Sequence, residues 1–283
     1  MRPATFFPVT TTPLAMRAGL HPFGEDFSNG ERDRQYFLRD DEAPRYQAAA
    51  RAVVDDRHAV VDDTPVRHAV HREALTFIRE RLATEHGLHL AALADLDDTT
   101  PMRTRYEAVR DAVQEDFAVL HRGVDDAGDA IALFVCFPSG WRPERLKGAD
   151  FAGIHGPVPD FVKKPAAAQS MVRAMVERGP YVRFVWTVSA DDHLDHHPEH
   201  GRRDAFTATT STAYLRVERQ VTVPFPAVGG SLFLIRSFLR PFSTLTAAEK
   251  ATLAEALRQM PDDVAAYKGL LAGRPRMLAL LAP

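Results

Sequence analysis

The sequence contains one cysteine, Cys136, in 283 residues. No disulfide can close within the chain, and no four-cysteine zinc or iron–sulfur site can be built from it alone. Excess charge of either sign is also missing: 35 Lys and Arg against 38 Asp and Glu leave −3. That counts against a general nucleic-acid binder, which usually needs a basic footprint. No stretch reaches the roughly 18 uncharged apolar residues of a membrane span. The N-terminal Met1–Pro8 stretch lacks the apolar run of a signal peptide. These absences predict a cytoplasmic protein with no nucleic-acid or membrane partner. There is no Walker-type phosphate loop and no GxGxxG after a strand. Ser139 lies in Pro138-Ser139-Gly140, outside the GxSxG elbow of a hydrolase.

What is present is ordinary globular material, 45% hydrophobic and 26% charged. Residues 1–43 read as an irregular, turn-rich arm whose aromatics (Phe6, Phe7, Phe23, Phe27, Tyr36, Phe37) call for packing on a body. Residues 44–122 read as helices. One starts at Pro44 and runs to about Asp56. A second follows Asp62-Asp63-Thr64-Pro65, carries Val66, Val70, Leu75, Ile78 and Leu82, and stops at Gly87. A third opens at Thr99-Thr100-Pro101 and is expected to run through Phe117 and Leu120 to Gly123.

Across 129–240 the texture changes to β. Four strand-like runs stand at Ala130–Phe137, Tyr181–Val188, Thr212–Val223 and Ser231–Phe238, with a helix over 163–178. Residues 244–283 return to helix, opened by the capping-box spacing Thr246-Ala-Ala-Glu249. The fold class expected is α+β, an antiparallel sheet with helices around it in one domain over 1–283.

Three segments concentrate functional side chains. In Ile154-His155-Gly156-Pro157-Val158-Pro159 one imidazole stands beside two prolines, and Gly156 permits close approach. Rigid presentation suits a metal or heme ligand; a histidine hydrogen-bonded in a turn is the other reading. In Arg216-Val217-Glu218-Arg219-Gln220, strand alternation puts Arg216, Glu218 and Gln220 on one face and Arg219 on the other. Such charges mark either a ligand site or an ion-pair face. In Asp191–His200 the pairs His193/His197 and His196/His200 have i, i+4 spacing, but Pro198 breaks a helix there. A solvated loop after a strand is the reading favoured over zinc. Cys136 reads as a small hydrophobe, Glu115-Asp116 as a solvated helix face or a partner for a basic site, and Trp141 and Trp186 as core or pocket wall.

In order, Gln114-Glu115-Asp116, Cys136-Phe-Pro-Ser-Gly-Trp141, Ile154–Pro159, Arg216–Gln220, Phe233-Leu-Ile-Arg236 and Tyr267-Lys-Gly269 resemble the heme-dependent oxidative N-demethylase α-subunit-like family. The resemblance covers roughly residues 15–275. It implies a PAS-like antiparallel sheet embraced by N- and C-terminal helices and holding heme b. It implies a monooxygenase that uses O₂ to oxidise an amine or other nitrogen-containing small molecule. Electrons would come from NADPH through flavin and an iron–sulfur centre on partner proteins, delivered by a reductase. Carried over by motif, His155 is the proximal iron ligand. Arg219, Trp141 and Arg236 are cofactor contacts, and Arg216 is a propionate or substrate contact. Glu218 is a partner for a cationic amine or a proton relay. The resemblance leaves two other classes in view, a heme-based gas sensor and a heme-free binding protein of the same fold. Where the family often has an Asn-Trp pair after the long helix, this chain reads Arg183-Phe184-Val185-Trp186.

Overall fold

The computed structural model describes residues 6–10, 19–53, 59–96, 99–146, 148–156, 158, 165–199 and 206–282. Among these residues, segments from His21 to Pro241 contribute to one antiparallel sheet. Its strands are β1 (His21–Pro22), β2 (Ala59–Val61), β3 (Asp116–His121), β4 (Asp129–Phe134), β5 (Tyr181–Ser189), β6 (Tyr214–Phe225) and β7 (Gly230–Pro241). They lie in the order β1-β5-β6-β7-β3-β4-β2. β6 and β7 form the spine, paired from Tyr214↔Pro241 to Phe225↔Gly230. The four runs expected as strands are β4 to β7. The architecture is α+β, as expected.

The third expected helix is a correction. The helix α3 (Met102–Ala112) ends where Val113 turns extended, and β3 follows. The reason is visible in Phe117-Ala118-Val119-Leu120. It is a continuous apolar run, and all four residues are buried between the two faces of the sheet. A central strand satisfies such a run on both sides; a helix at the surface would leave one side wet. The same correction removes Glu115 and Asp116 from a solvated helix face, since both are buried. β1 and β2, two and three residues long, carry too little alternation to be read from sequence.

The other helices are α1 (Ala43–Ala52), α2 (His68–His86), α4 (Phe151–His155), α5 (Pro165–Glu177), α6 (Ala247–Gln259), α7 (Asp262–Tyr267) and α8 (Arg274–Leu281). α2 ends at Gly87, whose φ of 64° is the left-handed cap that glycine adopts without a Cβ penalty. Thr246 and Glu249 close a capping box on α6. On the back of the sheet, Leu75, Ile78, Tyr106 and Val109 of α2 and α3 pack on Phe117, Val119, Val221 and Leu232. Leu253, Leu257 and Met277 of α6 and α8 cover Trp186, Val188, Leu215 and Val217 beside them. On the front, Phe151 of α4 and Val172 and Val176 of α5 cover Ala118, Leu120 and Leu133. No helix among the described residues is long and apolar enough to cross a membrane.

The arm packs on the back. Phe23 stacks on Tyr36 at 4.0 Å, and Phe6 meets Phe27 and Phe184. Its backbone is held by carboxylates from the body. Glu85 accepts from the amides of Tyr36 and Phe37, and Glu115 accepts from that of Leu38 at 2.8 Å. Burial pushes Glu115 up to about 7, against the pull of Arg236 and Arg219. Its folded pKa lies above the ordinary 4.5, so its contribution to stability is full below that value and is lost as pH rises through about 7. Glutamine at 115 keeps an acceptor for Leu38 and removes the titration. Between about pH 5 and about pH 8, Glu115→Gln therefore gains roughly 2 kcal/mol on the wild type in urea unfolding. Parallel pH dependences in the two proteins would refute this.

Candidate functional site on the front of the sheet

The front face combines apolar cover with a polar strip. Cross-strand pairing puts Arg183 opposite Gln220, Val185 opposite Glu218 and Thr187 opposite Arg216. Ser237 and Asp116 join them from β7 and β3. The alternation expected for Arg216, Glu218 and Gln220 is the one present.

Arg216 is fully buried, and each of its three nitrogens donates a hydrogen bond. Nη2 donates to the Phe137 carbonyl at 2.6 Å and to Ser237 Oγ at 2.9 Å. Nη1 donates to the Leu194 carbonyl at 2.9 Å, and Nε to Glu218 at 3.2 Å. Asp116 completes the arrangement by accepting from the amides of Cys136 and Phe137 at 2.8 and 3.0 Å. Its carboxyl is pushed up to about 7 by burial, with those amides and Arg216 pulling the other way. One buried cation and one buried carboxyl thus tie two irregular segments to the sheet.

Those segments are the Cys136–Trp141 run and the histidine-rich loop. They bind each other as well. His196 N–H donates to the Pro138 carbonyl and Gly140 N–H to the His196 carbonyl, both at 3.1 Å. The expected solvated loop is corrected here: His196 and His197 are buried, and only His193 of the three reaches solvent. His196 Nε2 lies 2.8 Å from Asp191 and 3.2 Å from Ser189 Oγ, and His197 Nε2 lies 3.2 Å from Glu144. His200 lies outside the described residues. Among the described residues no cluster of histidine, cysteine and carboxylates has the makings of a metal site. Cys136 follows β4 and is buried, the small hydrophobe expected. Trp141, half-buried, emerges from this clamp onto the apolar cluster of α4 and α5.

His155 is the last residue of α4. Asp150 caps this helix by accepting from Gly153 N–H at 2.7 Å. The imidazole is half-buried against Phe151, ring centroids 4.1 Å apart. Nδ1 lies 2.8 Å from the Phe151 carbonyl. A carbonyl only accepts, so Nδ1 carries the proton and Nε2 presents the lone pair. Burial lowers the His155 pKa, and Arg183 lowers it further. Both effects favour the neutral ring. Pro157 and Pro159 lie outside the described residues.

The structure brings His155, Trp141, Arg216 and Glu218 to the front. Arg219 and Arg236 sit on the back, directly opposite each other on β6 and β7. Arg219 donates to the Gln35 carbonyl at 2.8 Å and Arg236 to Asp40 at 3.2 Å, with Tyr46 3.9 Å from the Arg236 guanidinium. Both anchor the arm and α1. The Tyr267-Lys268-Gly269 motif closes the β5 edge. Lys268 Nζ donates to the Trp186 carbonyl at 2.7 Å, and Thr187 Oγ donates to the Lys268 carbonyl. Sequence reasoning passed over Arg183 as a site residue, although counting two back from Val185 along β5 places it on the Glu218 face.

The chain matches the family described as haem-dependent oxidative N-demethylase, alpha subunit-like, over residues 45–278. That is most of the chain, and the chain belongs to this family. No curated protein matches it.

Arg216→Lys tests the clamp. Lysine offers one ammonium where four acceptors wait, and buried acceptors left without donors are costly. We expect a loss of roughly 3–5 kcal/mol in chemical unfolding. A loss below about 1 kcal/mol would show that the guanidinium is dispensable.

Proposed function

We propose that the protein is a heme-dependent monooxygenase that oxidises an amine or related nitrogen compound, by N-demethylation or N-oxidation, on the front of the sheet. The observation that carries this reading is the His155 Nδ1 bond to the Phe151 carbonyl. It assigns the proton to Nδ1 and makes Nε2 the basic nitrogen of the ring, the arrangement that outer-shell hydrogen bonds give metal-binding histidines. A neutral, oriented imidazole on a family described as haem-dependent is the donor that heme iron takes. A second support is Arg183 on the same face, whose buried Nε has no hydrogen-bond partner, a cation suited to a heme carboxylate.

His155 would hold the iron of heme b, and Trp141 would supply apolar wall. When bound, heme supplies the O₂ activation and the oxidising power, while the protein supplies orientation and charge. Glu218 is half-buried and already accepts from Arg216 Nε and Gln220 Nε2. Those two donors fix its carboxylate, and a carboxylate has lone pairs left for a cationic amine or a passing proton. Arg216 acts through Glu218 as a positioning residue. Arg219 and Arg236 lie on the back, and we assign them to anchoring. With one cysteine the chain cannot hold a four-cysteine cluster. Reductant is therefore proposed to come from NADPH through flavin and iron–sulfur centres on partner proteins. The PAS-like description of the sheet belongs to this proposal.

The test is the absorption spectrum of protein expressed with heme precursor, before and after dithionite and CO. We expect a Soret band near one heme per chain that shifts on reduction and again on CO. His155→Ala should lose most of that heme or change its spectrum. A wild-type protein without a Soret band after hemin reconstitution sinks the proposal. So does a His155→Ala spectrum identical to wild type. Heme-dependent consumption of O₂ and reductant on an amine, measured with a reductase, separates an oxygenase from a sensor.

A further inference from the structure

Arg67, Arg122, Arg183, Arg219, Arg236 and Arg274 each bury an Nε that lacks a hydrogen-bond partner. Five of them work through other nitrogens. Arg67 reaches Asp129, Arg122 reaches Glu177, Arg219 the Gln35 carbonyl, Arg236 Asp40, and Arg274 Asp262. Arg183 is different. Among the described residues its guanidinium makes no hydrogen bond and no ion pair.

The side chain is partly buried, and the nitrogen it buries without a partner is Nε. Arg183 stands in β5, between Val182 and Phe184, and burial depresses its pKa. The charges of Glu218 and Tyr267 act on it, and its own charge acts on His155. Glu218 is a diagonal neighbour across the β5–β6 pair, within reach of long side chains. Its two oxygens nevertheless point to Arg216 and Gln220. Desolvating part of a charge without a partner carries a cost. An arginine does not escape by losing its proton. The group that offsets this cost is an incoming anion. A planar carboxylate fits the guanidinium fork with two parallel hydrogen bonds.

We propose that Arg183 is the carboxylate-binding residue of the front-face site. Two carboxylates satisfy the chemistry. One is a propionate of the heme, in which case the inference rests on the functional reading above. The other is the carboxylate of the substrate. With Arg183 and Glu218 side by side, that substrate is a zwitterion, an N-alkylated amino acid whose carboxylate meets Arg183 and whose amine meets Glu218.

The test uses heme-free, full-length protein, wild type and Arg183→Gln. The first arm titrates metal-free protoporphyrin IX and its dimethyl ester by fluorescence. If a propionate is the partner, wild type prefers the free acid and Arg183→Gln loses about tenfold or more of that preference. The second arm titrates N-methylglycine and dimethylamine by calorimetry. If the substrate supplies the carboxylate, Arg183→Gln weakens N-methylglycine about tenfold and leaves dimethylamine unchanged. If the substitution changes neither comparison, or wild type binds neither carboxylate probe, the assignment is overturned. The porphyrin carries no iron, so His155→Ala leaves the first arm intact. A failure of the iron-ligand reading is thereby told apart from a failure at Arg183.

A purely structural arginine predicts a lower melting temperature for Arg183→Gln. An uncompensated one predicts an equal or higher value. Arg183→Lys keeps the charge without the fork and should fall between the two in whichever arm responds. It also carries the comparison if the glutamine variant does not fold.

Discussion

Everything on the front of the sheet depends on one buried guanidinium. Arg216 has no exposed surface and reaches four acceptors in four different segments: the Cys136–Trp141 run, the histidine-rich loop, β7 and its own strand. Each of those segments ends in backbone carbonyls or polar side chains that the sheet ladder does not satisfy. Buried polar groups must find partners. A planar cation with five donors can answer several of them from one position, where a lysine answers few. Asp116 does the complementary task for the amides of Cys136 and Phe137. The pair explains why loops without regular structure hold Trp141 against the same apolar layer that carries His155.

The two faces use arginine in opposite ways. On the back, Arg219 and Arg236 are directly opposed across β6 and β7, an arrangement that repels. It is tolerated because Glu115 and Asp40 lie beside them and aromatic faces cover them: Phe23 lies 5.7 Å from Arg219 and Tyr46 3.9 Å from Arg236. These groups tie the irregular arm and α1 to the sheet, and their charge is spent within the protein. On the front, all three nitrogens of Arg216 are hydrogen-bonded, whereas the buried Nε of Arg183 is not.

The same face sets the state of His155. Its ring is desolvated, it lies near a cation, and its Nδ1 proton is committed to the Phe151 carbonyl. All three favour a neutral imidazole with its lone pair on Nε2. A solvated surface histidine would have none of them. The chemistry proposed for the site therefore begins from backbone geometry: a five-residue helix, capped by Asp150, that places a carbonyl four residues before the ring.

Much of this was legible in the chain alone. The sheet spine β5–β7, the α2 stop at Gly87, the capping box of α6 and the facing of Arg216, Glu218 and Gln220 follow from periodicities of two and 3.6 and from cap chemistry, all local properties. The ordered motifs were legible too, and the family match extends over them. What sequence could not determine is anything that depends on which surface a segment meets. Phe117–Leu120 suits helix or strand until both of its sides are covered. His196 and His197 read as solvated until Pro138–Gly140 pairs with their backbone. Arg219 and Arg236 read as site residues until the sheet turns them toward the arm. Alternation assigns a side chain to a face, but only tertiary packing decides what that face looks upon. The physical reason is that local backbone preference acts over a few residues, whereas desolvation and its compensation are settled between segments far apart in the chain.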